Sequence, residues 1–245
     1  MLTILYGTRG ARDEIYSRIK KDVEKGKRAY LIVPDQKALL AEEGLMKALP
    51  RGAALEVDAV GFSRLANLVC RKYGSLTYRY ATDGAKAVTM HNAIKKLRPK
   101  LKVFGGEIQN GTLESLISLM REFRTCSVSA ETLAEAAEKA GATPLGNKLY
   151  DLSLIYLEYE TELHKNFAEV EDDIDTLCDL LEENDFFSGA DVYIDSFVSF
   201  TKQELTVISR MLARDVNVTV ALPCSGGGAH MAECRDTRKK LLSLA

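Results

Sequence analysis

A short apolar run, Leu2 to Tyr6, gives way to Gly7-Thr8-Arg9-Gly10-Ala11-Arg12-Asp13-Glu14. A glycine-bearing turn between a strand and a helix is where nucleotide-binding α/β proteins cradle phosphate. Such a loop needs a second glycine for close backbone approach, a lysine for the β- and γ-phosphates and a hydroxyl for magnesium. Aligned from Gly7, those places hold Arg12, Asp13 and Glu14. Carboxylates in a poorly solvated phosphate seat repel the ligand, so ATP hydrolysis is not expected. Gly7 and Gly10 can equally do no more than turn the chain.

A second apolar run, Val192 to Ile194, delivers Asp195 at its end, the place of a magnesium-binding Walker B acid. The residue after it, where a glutamate would activate water, is Ser196. Asp195 alone can also be a turn residue. Cys224, His230 and Cys234 match no standard zinc spacing and lack a fourth ligand. His91 and His164 have no nucleophile paired with them. The expectation is therefore no catalytic residue and no metal site.

The elements that must carry these residues follow from periodicity. Strand-like runs occur at Leu2 to Tyr6, Ala29 to Val33, Leu55 to Val60, Val192 to Ile194 and Val216 to Leu222. The first three are followed by helix-period segments, Ala11 to Glu24, Lys37 to Leu49 and Ser63 to Tyr73, which is the alternation of a parallel sheet covered by helices. Between residues 83 and 185 the spacing is helical. Leu149, Leu152, Tyr156, Tyr159, Leu163 and Phe167 form one stripe, expected in a core, and Ser129 caps a helix that Gly141 stops. The expected fold class is α/β, with a discontinuous sheet domain (1–82 and 186–245) interrupted by a helical insertion (83–185).

The 245 residues are 46% hydrophobic and 28% charged, with 33 basic against 35 acidic side chains. That is ordinary globular composition, and a net charge of −2 supplies no global field toward nucleic acid or membrane. Local charge is uneven. Lys95, Lys96, Arg98, Lys100 and Lys102 put five cations in eight residues, and Glu169 to Asp185 carries nine acids and no base. Each run reads as a solvated helix face, although the basic one can track a phosphate backbone. Five widely spaced cysteines without a CxxC pair suggest reduced thiols and a cytoplasmic protein. No signal or membrane span is expected.

Taken together, LIVPDQ (Leu31 to Gln36), VGFSRLANLV (Val60 to Val69), GNKLYDLSLIYLEYE (Gly146 to Glu160) and VYIDSFVSFTKQELTVI (Val192 to Ile208) resemble the N-terminal part of the B subunit of AddAB-type ATP-dependent helicase/nucleases. VTVALP (Val218 to Pro223) and DTRKKL (Asp236 to Leu241) extend the resemblance along the chain. It implies a RecA-like (P-loop NTPase-type) helicase domain with a helical insertion, in a bacterial heterodimer with an AddA-type motor subunit that processes double-strand breaks for recombinational repair. It implies a single strand scanned for a hotspot sequence. Any iron-sulfur cluster or nuclease metal would belong to a downstream part of such a subunit, and no cofactor is expected in this segment.

The resemblance and side-chain chemistry together point to Gln36, Phe62, Arg64, Phe200 and Thr201 as DNA contacts. An amide can read base edges, a guanidinium can bridge phosphate or guanine, and aromatic rings can stack on unpaired bases. Phe62 and Phe200 also fit a core. Asn67 and Ala38 stand where some relatives have an aromatic residue and a small hydroxyl, so the usual hotspot sequence need not be the one read. Two other readings are an active P-loop ATPase and a scaffold whose acidic helix docks the motor subunit.

Overall fold

Side chains alternate along the strands, and the alternation sorts the buried apolar residues into two sets. In the computed structural model, which describes residues 1–7, 9–50, 52–74, 80–107, 109–223 and 232–244, five strands form one all-parallel sheet. They are β1 (Leu2–Tyr6), β2 (Ala29–Ile32), β3 (Val57–Val60), β4 (Asp191–Ile194) and β5 (Asn217–Leu222), in the order β1-β5-β4-β2-β3. Leu31, Val33, Val57, Ala59 and Tyr193 face helices α1 (Arg9–Glu24) and α2 (Ala38–Ala48) through Ile15, Ile19 and Leu45. Tyr30, Ile32, Val60, Val192, Ile194, Val218 and Val220 face the other way, onto α3 (Phe62–Tyr73), α8 (Val170–Glu183), α9 (Lys202–Ala213) and α10 (Ala232–Leu242). A parallel sheet needs helices on both faces because its crossovers place them there. Each fully buried Leu65 or Val69 of α3 contributes about 1.5–3 kcal/mol. This is a RecA-like α/β arrangement.

The remaining helices, α4 (Asp83–Leu97), α5 (Asn110–Thr125), α6 (Ala130–Ala140) and α7 (Pro144–Leu163), build a separate core from Met90, Ile94, Leu116, Met120, Leu152, Ile155, Tyr159 and Leu163. Ser129 Oγ accepts from the Thr132 N–H and Gly141 ends α6 at φ +62°, so the sequence signals for that helix hold. The chain enters and leaves this unit side by side, with the Ala81 N–H donating to the Ala168 carbonyl at 2.9 Å.

Three expectations need correction. Leu55 is 86% exposed in a 3-10 turn spanning Ala53–Glu56, and the third strand starts only at Val57. The apolar pattern there hid one outward residue. The two compact units are Met1–Leu76 with Asp173–Ala245, and Thr77–Asp172. The interruption therefore ends at Asp172 rather than residue 185, because Leu177, Cys178 and Leu181 of α8 pack on the sheet. Finally, Cys70, Cys126 and Cys178 are free thiols, whereas Cys234 is disulfide-bonded. Sequence spacing did not reveal that pairing.

Candidate functional site

All five strands point their carboxyl ends at one edge, where ligands of parallel α/β sheets bind. At the end of β1, Gly7 takes φ +131°, open to glycine but strained for other residues, and its N–H donates to the Leu222 carbonyl at 3.2 Å. Helix α1 starts at Arg9, so only residues 7 and 8 separate strand from helix and Gly10 lies in the first turn. One turn on, the Arg12 guanidinium reaches the end of β4. Its Nε donates to Asp195 Oδ2 at 2.7 Å and its Nη2 to Ser196 Oγ at 2.6 Å. The Ser196 hydroxyl donates to the same carboxylate at 3.2 Å, and Ser196 holds φ +72°. The hydrogen bond to Asp195 keeps the Arg12 guanidinium pKa above its ordinary value although partial burial opposes it.

These residues do not fit a magnesium–triphosphate. The acid that would hold magnesium is engaged by an arginine of the same chain. Asp13 is exposed, and Glu14 turns along the helix to Arg18 at 2.8 Å. The two acids therefore do not converge on one seat, and the cation Arg12 closes the position instead.

The second half of the edge joins two sequence motifs. Gly61, at the N-cap of α3, lies under the Asp35 carboxylate, which a Cβ at this position would overlap. That packing sets the Asp35–Lys37 turn, with exposed Gln36, beside the start of α3. A groove of about 410 Å³ follows, lined by Asp35, Ser63, Arg64, Asn67, Leu68 and Arg71. Arg64 is solvent-facing, 3.8 Å from Glu42, an ion pair worth little at such exposure. The Asn67 amide is 3.5 Å from Asp173.

Phe62 and Phe200 are 4% and 7% exposed, which corrects their assignment as stacking platforms. They pack edge-to-face at 6.5 Å, and Phe197 stacks on Phe200 at 5.0 Å. No ring face of this pair is available to a base. Thr201 is exposed but occupied: its hydroxyl and N–H form a capping box with Glu204 that starts α9. Burial raises the Glu204 carboxyl pKa against those hydrogen bonds, and the Asp35 charge adds to the rise. The edge thus offers Gln36, Arg64 and Arg71 to solvent next to two acids.

Sequence reasoning missed two polar centres in the helical unit. Asp151 on α7 is fully buried and accepts from three successive backbone N–H groups, those of Lys102, Val103 and Phe104, at 2.6–3.0 Å. Its signal was one acid within the apolar stretch Leu149 to Ile155. Arg124 on α5 is 13% exposed and reaches Asp172 at 2.6 Å, Glu169 at 3.0 Å and Glu160 at 3.3 Å, while Lys86 meets Glu169 at 2.6 Å. Burial opposes the Arg124 charge, but Asp172, Glu160 and Glu169 more than offset it and its pKa is raised.

The acidic run is not simply a solvated face. Glu169 and Asp172 serve Arg124, the Gln203 amide donates to Asp175 at 2.9 Å, and Arg210 and Arg214 pair with Glu182 and Asp185 at 2.9 and 3.1 Å. Of the three zinc candidates, Cys224 and His230 lie outside the described residues. Among the described residues no group of three or more His, Cys, Asp or Glu side chains could hold a metal, and no helix is long and apolar enough to cross a membrane.

Comparison with known proteins places this geometry. The chain is 29% identical over 234 residues to the B subunit of the ATP-dependent helicase/deoxyribonuclease of Clostridium tetani, covering 92% of this chain and 20% of that protein. The B subunit of the same enzyme from Clostridium botulinum is 28% identical over 228 residues, covering 90% and 20%. That of Caldanaerobacter subterraneus is 32% identical over 193 residues, covering 78% and 17%. The chain thus spans about a fifth of the length of these curated relatives. With residues 7–239 matching the family described as ADDB, N-terminal, from the turn after β1 into α10, the chain belongs to that family.

Proposed function

We propose that this chain is the N-terminal helicase-like part of the B subunit of a bacterial, cytoplasmic helicase/nuclease, and that it grips single-stranded DNA without hydrolysing ATP. The observation that carries the reading is the Arg12 guanidinium on Asp195 at 2.7 Å: an internal cation holds the acid that a working site would give to magnesium. What the sheet edge still presents is chemistry for a polynucleotide, an exposed amide at Gln36 and guanidinia at Arg64 and Arg71 beside an open groove. In the full-length subunit this edge would hold a strand leaving an AddA-type motor during break processing and present it for hotspot scanning. Asn67 and Ala38 set this chain's preferred sequence apart from that of relatives with other residues there.

Fluorescence anisotropy with a labelled oligothymidylate, over a salt series, tests the reading together with an ATPase assay. Salt-dependent binding that Arg64→Ala weakens, with no magnesium-dependent ATP turnover, is the expected result. Turnover abolished by Asp195→Ala would establish an active ATPase instead. Capture of the motor subunit with no DNA binding would leave only the scaffold.

A further inference from the structure

The basic run at residues 95–102 separates, once folded, into cations that are spent and cations that are not. Lys96 lies 2.5 Å from Glu158 and 3.5 Å from Glu162, and the Lys102 ammonium sits 4.5 Å over the Tyr150 ring. Lys95 is on the next stripe of α4. With His91 four residues before it and Arg98 three after, it lines a groove of about 340 Å³ completed by Ile94, Leu113, Gly106 and Glu107. Among the described residues, none of these three basic side chains has a carboxylate partner. At 1.5 Å rise per residue the stripe extends roughly 10 Å.

Arg98 is held in place rather than loosely solvated. Its Nε donates to the Gly105 carbonyl at 2.8 Å, and a Cβ on Gly105 would press against the carbonyls of Arg98 and Leu101. The segment bearing Gly105 is in turn tied down by Asp151 through the N–H groups of Lys102, Val103 and Phe104. A guanidinium anchored through Nε keeps both Nη groups for a forked contact with an anion, and fixing it beforehand lowers the entropy lost on binding.

We propose that this groove of the helical unit is a second contact for the phosphate backbone of single-stranded nucleic acid, with Arg98 and Lys95 each neutralising a phosphate and His91 donating at its end. The inference rests on the DNA-binding reading above but uses none of its residues. Glu107 is one acid in the lining against Lys95, Arg98 and His91, and the apolar Ile94 and Leu113 offer nothing to read base edges, so the contact is with the backbone and independent of sequence.

The test uses the whole chain, labelled oligothymidylate, and the slope of log K against log salt. Lys95→Ala/Arg98→Ala is expected to flatten the slope by about 1.4, two phosphates at about 0.7 each for a single strand, and to do so equally in an Arg64→Ala background. Lys96→Ala, from the same run but already paired, leaves the slope unchanged. Lys95→Glu, at a solvated position, weakens binding with the fold intact by circular dichroism. An unchanged slope in the double variant while Arg64→Ala still weakens binding overturns this proposal and leaves the sheet-edge reading standing. Failure of the unaltered chain to bind oligothymidylate overturns both. Tighter binding of labelled polyglutamate than of oligothymidylate, lost in the same double variant, would assign the groove to an acidic protein and overturn the nucleic-acid proposal.

Discussion

Arg12→Ala removes the cation that closes the end of β1 against the end of β4. At an effective dielectric of about 20, unit charges about 3–4 Å apart attract by roughly 4–6 kcal/mol. Most of that is not realised, because the Arg12 side chain is 47% exposed against 12% for Asp195. Exposed pairs contribute at most about 1 kcal/mol and hydrogen bonds to charged groups about 1.5–3 kcal/mol. A coupling of about 1–2 kcal/mol between Arg12 and Asp195 follows from those limits. Urea denaturation of Arg12→Ala, Asp195→Ala and the double variant measures it, with unchanged m-values confirming that only stability moved. The coupling should shrink in high salt, since one end of the pair faces solvent. A coupling indistinguishable from zero would mean that Asp195 is available in solution, and the argument against a magnesium site would fall with it. Arg12→Ala alone is not expected to create nucleotide binding, because the lysine and hydroxyl positions still hold Asp13 and Glu14.

Asp151→Ala strands three backbone donors whose segment is partly solvated, so a loss of about 2–4 kcal/mol is expected by chemical denaturation. Asp151→Asn, which keeps one acceptor oxygen, should lose about half as much. Arg124→Ala leaves Glu160, Glu169 and Asp172 facing one another, with Lys86 still on Glu169 and His164 on Asp172, and breaking such a buried network costs about 3–5 kcal/mol, or roughly 10 °C in Tm. The His164 pKa is raised chiefly by its hydrogen bond to Asp172, against partial burial and the Arg124 charge, with Glu160 adding to the rise. A raised folded-state value means that its contribution is complete below the unfolded pKa of about 6.5 and is lost as pH rises through the folded value. Tm should therefore decline as pH rises above about 6.5 by an amount that His164→Gln removes; an identical decline in that variant would exclude His164 as the cause.

Local chemistry was legible where it depended on neighbours in the chain. Alternation in β2, β4 and β5, the Ser129 cap and Gly141 stop of α6, and the core stripe of α7 all follow from periods of two and 3.6 residues and from backbone groups left unpaired at helix ends. The departure of Arg12, Asp13 and Glu14 from the phosphate-loop pattern needs only residue identity at fixed offsets, but the expected clash of two acids at one seat does not occur, since Asp13 is exposed and Glu14 pairs with Arg18.

Tertiary structure decided which polar and aromatic groups were already spoken for. Phe62 and Phe200 fit a stacking platform by type, and only the packing of α3 against the residues after β4 turned them inward. Arg12 and Asp195 meet across 183 residues of sequence, and Arg124 collects acids from three distant positions. Five lysines and arginines within eight residues look alike until Glu158 and Glu162 neutralise one and the Gly105 carbonyl fixes another. Charge along a chain is set by composition. Whether a charge is free to meet a ligand depends on partners that only folding brings within a few ångströms, because attraction between ions falls with distance and with the water between them.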